Sequence, residues 1–192
     1  MAFDNLAENA KNKYFPKLQI KYKNESILMK IIGKVLFFDK DFMKNYLTTI
    51  GSTVYIPNRQ FVTQRPFSVS IIFLHELVHI HDSKRLTKFL FNFLYLSPQI
   101  LSLVFLPLIF LLSWKIFLPL TLLFLLPLPS WGRMYLERRA YFVSLYVMET
   151  MANKFNYNSK LYRNQDYFSA QFKGSVYYYM WIFNGKYRQL CS

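Results

Sequence analysis

The spacing of apolar positions along the chain predicts short strands early and long helices later. The first 24 residues are polar and lysine-rich, with one apolar cluster from Leu18 to Tyr22 that could form a strand. From Glu25 to about Phe38, residues Ile27, Leu28, Ile31, Ile32, Val35 and Leu36 recur at helical spacing and predict a helix. The run from Tyr46 to Pro57 holds two β-prone segments separated by Gly51-Ser52. A two-residue loop with glycine first is what a type II′ hairpin turn prefers, and Pro57 closes the second segment as it would an edge strand. Pro66 and Ser68 then open a helix to about Asp82 that is apolar around most of its circumference, as a buried helix is. A last helix is expected from Trp131 to about Phe155. No repeat or Gly/Ser-rich linker divides the chain, so residues 1–192 read as one domain with an insertion.

That insertion is the stretch from Phe89 to Pro129, where only Lys115 is charged in 41 residues. A helical bilayer crossing takes roughly 20 apolar residues. Phe89 to Leu112 meets that length, although Asn92, Pro98 and Gln99 interrupt it; Ile116 to Leu128, at 13 residues, falls short. Pro98, Pro107, Pro119, Pro127 and Pro129 would kink or break helices here. The segment therefore reads as two spans turning near Ser113-Trp114-Lys115, or as a re-entrant hairpin; a greasy hairpin buried in a soluble protein is the remaining alternative. Lys84, Arg85 and Lys88 flank it on one side and Arg133, Arg138 and Arg139 on the other. The positive-inside tendency puts both ends at the cytoplasmic face, with an even number of crossings.

Composition narrows the function classes. With 53% hydrophobic residues, intrinsic disorder is excluded, while a formal net charge of +14 points to an anionic partner. The lysines are spread along the chain and no nucleic-acid-binding signature accompanies them, so an anionic lipid surface suits the charge better than nucleic acid. Cys191 is the only cysteine, which rules out an internal disulfide and a thiolate metal site. The N-terminal residues include acids and lack an apolar core, so no secretory signal is expected there. The last forty residues are rich in Tyr, Phe, Asn and Lys; Tyr177 to Phe183 reads as packing or interfacial material.

Candidate chemistry is concentrated on the helix from Pro66. His75-Glu76-Leu77-Val78-His79 has the H-E-x-x-H spacing, which places two imidazoles one turn apart on one helix face, within reach of a single zinc ion. Glu76 falls beside the metal, where it can accept a proton from a metal-activated water. All three histidines of the chain, His75, His79 and His81, lie within seven residues, which argues against incidental spacing. His81 is off the shared face and reads as a polar or supporting residue. A third ligand must come from a carboxylate, since no further histidine exists. Asp82 shares the face but lies about 10 Å along the axis from His75, which suits a supporting hydrogen bond or a solvated helix end. Glu137, in Leu136-Glu-Arg-Arg-Ala-Tyr141, is the best third ligand, against an ion pair with Arg133 or Arg138; Glu149 comes next and Asp166 remains.

HELVH followed by E-x-x-A on a later helix resembles the gluzincin zinc metallopeptidases. Apolar spans between the two motifs resemble the membrane-embedded members of that group. The likeness covers about Tyr46 to Met151. It implies an α+β, predominantly helical fold with a minimal zincin-like core: a β-hairpin with an edge strand, the HExxH helix and a glutamate helix, with a hydrophobic helical hairpin inserted. It implies Glu137 as third zinc ligand, Glu76 as catalytic base, and Thr53 to Ile56 as the edge strand for an extended peptide or protein substrate. An oxyanion donor is also expected, for which Tyr141 and Tyr135 are nearest in sequence. Where these families often carry an aspartate after the alanine, this chain has Tyr141. The competing reading is a non-enzymatic structural or pore-forming membrane hairpin with an incidental or structural metal site.

Overall fold

The computed structural model describes residues 3–37, 39–97, 100, 115, 118–119 and 129–155. Among them the fold is α+β and predominantly helical. The order is α1 (Phe3–Lys13), β1 (Gln19–Tyr22), α2 (Ile27–Val35), β2 (Thr48–Ile50), β3 (Thr53–Ile56), α3 (Arg59–Gln64), α4 (Pro66–Arg85), α5 (Lys88–Leu96) and α6 (Trp131–Phe155). The chain divides into two compact units after Lys84. Most of the apolar insertion, including residues 113 and 114 of the expected turn, lies outside the described residues, as does everything beyond residue 155. No helix among the described residues is long and apolar enough to cross a membrane.

The first unit is built on the expected hairpin. Strands β2 and β3 pair antiparallel with Ile50 opposite Thr53, leaving Gly51 and Ser52 as the loop. Gly51 takes φ +62, the left-handed value that the first position of a II′ turn requires and that glycine adopts without a Cβ clash. The sheet order is β1-β3-β2, with β1 parallel to β3 from Gln19↔Thr53 to Tyr22↔Ile56. This corrects one expectation. Thr53 to Ile56 is the central strand, not an edge, so both its sides are already paired and it has no free ladder to offer a peptide. Pro57 does not prevent this because it lies one residue past β3, where its missing N–H costs no ladder bond.

The core of this unit explains which face of each helix turns inward. From α1, Phe3, Ala7 and Ala10 follow an i, i+4, i+7 stripe; from α4, Val69, Phe73, Leu77 and Ile80 form another. They join Val54 and Ile56 of β3, with Phe3 and Phe73 edge-to-face at 5.2 Å. Residues outside that stripe on α4 are buried as well, including His75, His79 and Asp82, while Glu76 is buried at the edge of the stripe, a few tens of degrees from Val69. The all-round apolar pattern of this helix thus corresponds to burial on more than one side. Helix α2 starts at Ser26, whose hydroxyl accepts from the Met29 amide at 3.3 Å, and Asn58 caps α3 by accepting from Phe61 at 2.8 Å.

In the second unit α5 and α6 run close together. Gly132 lies against the Leu94 backbone so tightly that a Cβ there would collide with it. The Ser130 hydroxyl donates to the Ser97 carbonyl at 2.5 Å, and Arg133 Nε donates to the Tyr95 carbonyl at 2.7 Å. Side chains near the start of α6 thereby hold the C-terminal end of α5 in a fixed register.

Candidate metal centre

Helical geometry does what the H-E-x-x-H spacing requires. His75 and His79 stand one turn apart on α4, with Nε2 atoms 3.2 Å from each other and ring planes at 81°. Both are buried, and so is Glu137 on α6; one nitrogen from each histidine and a Glu137 carboxylate oxygen lie within 4.8 Å of one another. This buried group could hold a metal ion. Two nitrogens bound at about 2.0–2.1 Å to a tetrahedral ion stand roughly 3.3 Å apart, close to the separation of the two Nε2 atoms. Two imidazoles and one carboxylate are also a donor set that first-row divalent ions accept. The residues present therefore fit the group that the sequence implies.

The other expected site residues fall into place or out of it. Glu76 is buried beside His75. Tyr141 is half-buried on α6, one turn after Glu137 and on the same side of that helix. Tyr135 is about half exposed, two residues before Glu137 and so on another side, with the Arg138 guanidinium 6.0 Å from its ring. Geometry thus favours Tyr141 over Tyr135 as the residue sharing the Glu137 face. Asp82 is fully buried, which removes the reading of a solvated helix end; its Oδ1 lies 3.4 Å from Nδ1 of His81. The His81 side chain is 60% exposed and stands outside the metal group. Glu149 is exposed on α6, some 18 Å along the axis from Glu137. Asp166 lies outside the described residues.

Two residues in the surroundings have no motif to announce them. The first is Tyr95 of α5, whose hydroxyl donates to Glu137 Oε1 at 2.5 Å. Its ring stacks on Phe91 at 5.8 Å and lies 5.4 Å from the Arg133 guanidinium, so its direction is set on several sides. A hydroxyl on one carboxylate oxygen orients the group and leaves the other oxygen to serve as a ligand. Tyr95→Phe removes only that oxygen. It is expected to weaken metal binding by about 10–100-fold, beyond a loss of about 1–3 kcal/mol in the metal-free protein's stability from the missing hydrogen bond to a buried carboxylate. A competition titration with a chelating dye measures this.

The second is Lys23, fully buried just after β1. Its amide continues the β1–β3 pairing by donating to Ile56 at 2.7 Å. Its Nζ donates to the Phe42 carbonyl at 2.6 Å and sits 3.9 Å from the centre of the Phe42 ring. Burial pushes its pKa down from 10.5 to about 8, against the opposing pull of Glu76 and Asp39. Between those two values the unfolded chain binds more protons than the folded one, so stability must rise with pH across that window. Below about pH 8 both states carry the proton and the burial penalty applies in full. Lys23→Met should remove this rise, seen as a flatter denaturation midpoint from pH 8 to 9.5 than in wild type.

Scans against protein-family models, and searches of curated proteins and of solved structures, return no match to this chain.

Proposed function

We propose that this chain is a membrane-associated zinc-dependent peptidase that adds water across a peptide bond. The observation that carries the reading is the buried His75, His79 and Glu137 group with its two Nε2 atoms at metal-edge separation. The position of Glu76 next to the first histidine and its burial on the same helix support it further. When bound, zinc supplies Lewis acidity that polarises the scissile carbonyl and makes a water molecule more acidic.

The protein's own residues divide the remaining work. His75 and His79 would hold the ion through Nε2, and Glu137 would add a carboxylate oxygen whose charge offsets part of that of the ion. Glu76 accepts a proton from the attacking water as its oxygen bonds to the carbonyl carbon. It then returns that proton to the amine nitrogen as the carbon–nitrogen bond breaks, so the cycle ends with Glu76 ionised again. Tyr141 is placed by this reading to donate its hydroxyl to the carbonyl oxygen as negative charge builds there. The zincin-like arrangement of hairpin, HExxH helix and glutamate helix belongs to the same proposal, with the peptide pairing to β1 or β2 rather than to β3.

The membrane component rests on the 41-residue apolar segment and its basic flanks. Both flanks, and with them the site, are assigned to the cytoplasmic side. Anionic headgroups are the proposed partners of the excess basic charge; nucleic acid is not. Metal removal tests the enzymatic core of the proposal. Incubation with a strong chelator should abolish cleavage of an unstructured protein substrate, and stoichiometric zinc should restore it; cleavage that survives full demetallation refutes the assignment.

A further inference from the structure

Helix α2 has two apolar faces, and among the described residues only one packs into a core cluster. Met29, with Ile32 and Leu36, packs against Phe42, Met43 and Tyr55. On the other side Ile27, Leu28, Ile31 and Val35 are exposed, at 75%, 46%, 56% and 67%, and Phe37 follows at 80%. At about 100° per residue the four helical positions fall within one arc of roughly 100°. Lys30 and Lys34, both exposed, lie along one border of that arc, and the helix carries no acidic residue. Contiguous exposed apolar surface of this kind marks an interaction site.

We infer that this face of α2 docks the protein on an anionic lipid bilayer, the helix lying in the plane of the headgroups. The aliphatic side chains of Ile27, Leu28, Ile31 and Val35 would enter the acyl boundary while the two lysines reach the phosphates alongside. Charge decides for a bilayer over a protein partner. Lys30 and Lys34 are joined by exposed Lys40 and Lys44 in the following turn, on a chain of net charge +14. The acids of that turn are tied into local structure: Asp39 accepts from the Asp41 and Phe42 amides at 3.1 and 3.2 Å, and Asp41 from the Asn45 side chain at 2.7 Å. This docking involves neither the metal nor the apolar insertion; it shares with the proposed function only the anionic lipid surface, and loss of peptidase activity would leave it untouched.

The test places a fluorophore on the full chain. With Cys191 replaced by serine, an environment-sensitive dye is attached to Ile31→Cys or Val35→Cys, and to Lys13→Cys on exposed α1 as a control. These positions are exposed, so labelling does not disturb the core. In vesicles of phosphatidylcholine with phosphatidylglycerol, the dyes at 31 and 35 should shift to the blue and be quenched by nitroxide-bearing lipids; the dye at 13 should not. Lys30→Gln with Lys34→Gln should weaken partitioning onto these vesicles roughly 30-fold, at about 1 kcal/mol for each of the two charges removed. Solvent-like emission at 31 and 35 overturns the inference. So does a blue shift that nitroxide lipids fail to quench, which would indicate a protein partner such as a second copy. Insertion of equal extent in vesicles lacking phosphatidylglycerol also overturns it.

Discussion

Glu76→Gln is expected to retain its zinc and lose its activity. The substitution keeps the size and shape of a buried side chain and leaves His75 and His79, one turn apart, untouched. What it removes is the carboxylate beside the two histidines; the carboxamide that replaces it cannot take a proton from water. General-base catalysis of this kind contributes about 10²–10⁴-fold, and kcat/KM should fall by that much. Metal content should remain at one equivalent, because the amide takes no ligand away. The two readouts together separate a catalytic site from a structural one: a structural site has no need of Glu76, and full cleavage by the variant rules out the hydrolytic role assigned to it. The change should also be felt at Lys23. Loss of the Glu76 charge removes one of the two attractions that oppose burial, so the Lys23 pKa should fall below its value of about 8.

Glu137→Ala is expected to have the second large effect, on the metal itself. The variant keeps two nitrogens 3.2 Å apart but loses the only carboxylate grouped with them among the described residues. A pair of neutral ligands holds a divalent ion less well than three donors that include a negative charge. The affinity should drop by more than the roughly 10–100-fold expected for loss of the Tyr95 hydrogen bond. Added zinc should then no longer raise the thermal midpoint at concentrations that saturate wild type, since a ligand stabilises only as far as it binds the folded state. Glu137→Gln is a useful companion because it can still accept from the Tyr95 hydroxyl, and it separates loss of charge from loss of the side chain. Unchanged metal content in both variants would place the third ligand elsewhere.

Features set by short-range chemistry were legible in the sequence. Gly51-Ser52 fixes a hairpin because the turn geometry lies within four residues. The register of His75, Glu76 and His79 is a property of one helical turn, and the buried setting of α4 follows from its all-round apolar pattern. Long-range pairing was not legible. Strand β1 reaches β3 across thirty intervening residues as a parallel neighbour, and nothing local to Thr53–Ile56 signals it. That is why a central strand reads as an edge. Helix α1 escapes notice because its inward stripe relies on Ala7 and Ala10, which add little hydrophobicity amid lysines and asparagines.

The site divides along the same line. The ligand pair is written in five consecutive residues, and Glu137 is reached by elimination among few carboxylates. Tyr95 is 42 residues from the carboxylate it touches and looks like any aromatic in an apolar run. Lys23 is hidden by its residue type, because a lysine is read as solvated unless something pairs with it. Its partners are a backbone carbonyl and an aromatic ring, neither of which leaves a sequence signal.

The most direct test of the central claim is X-ray absorption at the zinc edge on the purified wild-type chain, with metal quantified in the same sample. One equivalent of zinc is expected, with two imidazole nitrogens at about 2.0–2.1 Å and a carboxylate oxygen at about 2.0–2.2 Å. A chain that binds no stoichiometric metal, or zinc surrounded by oxygen alone, would contradict that claim.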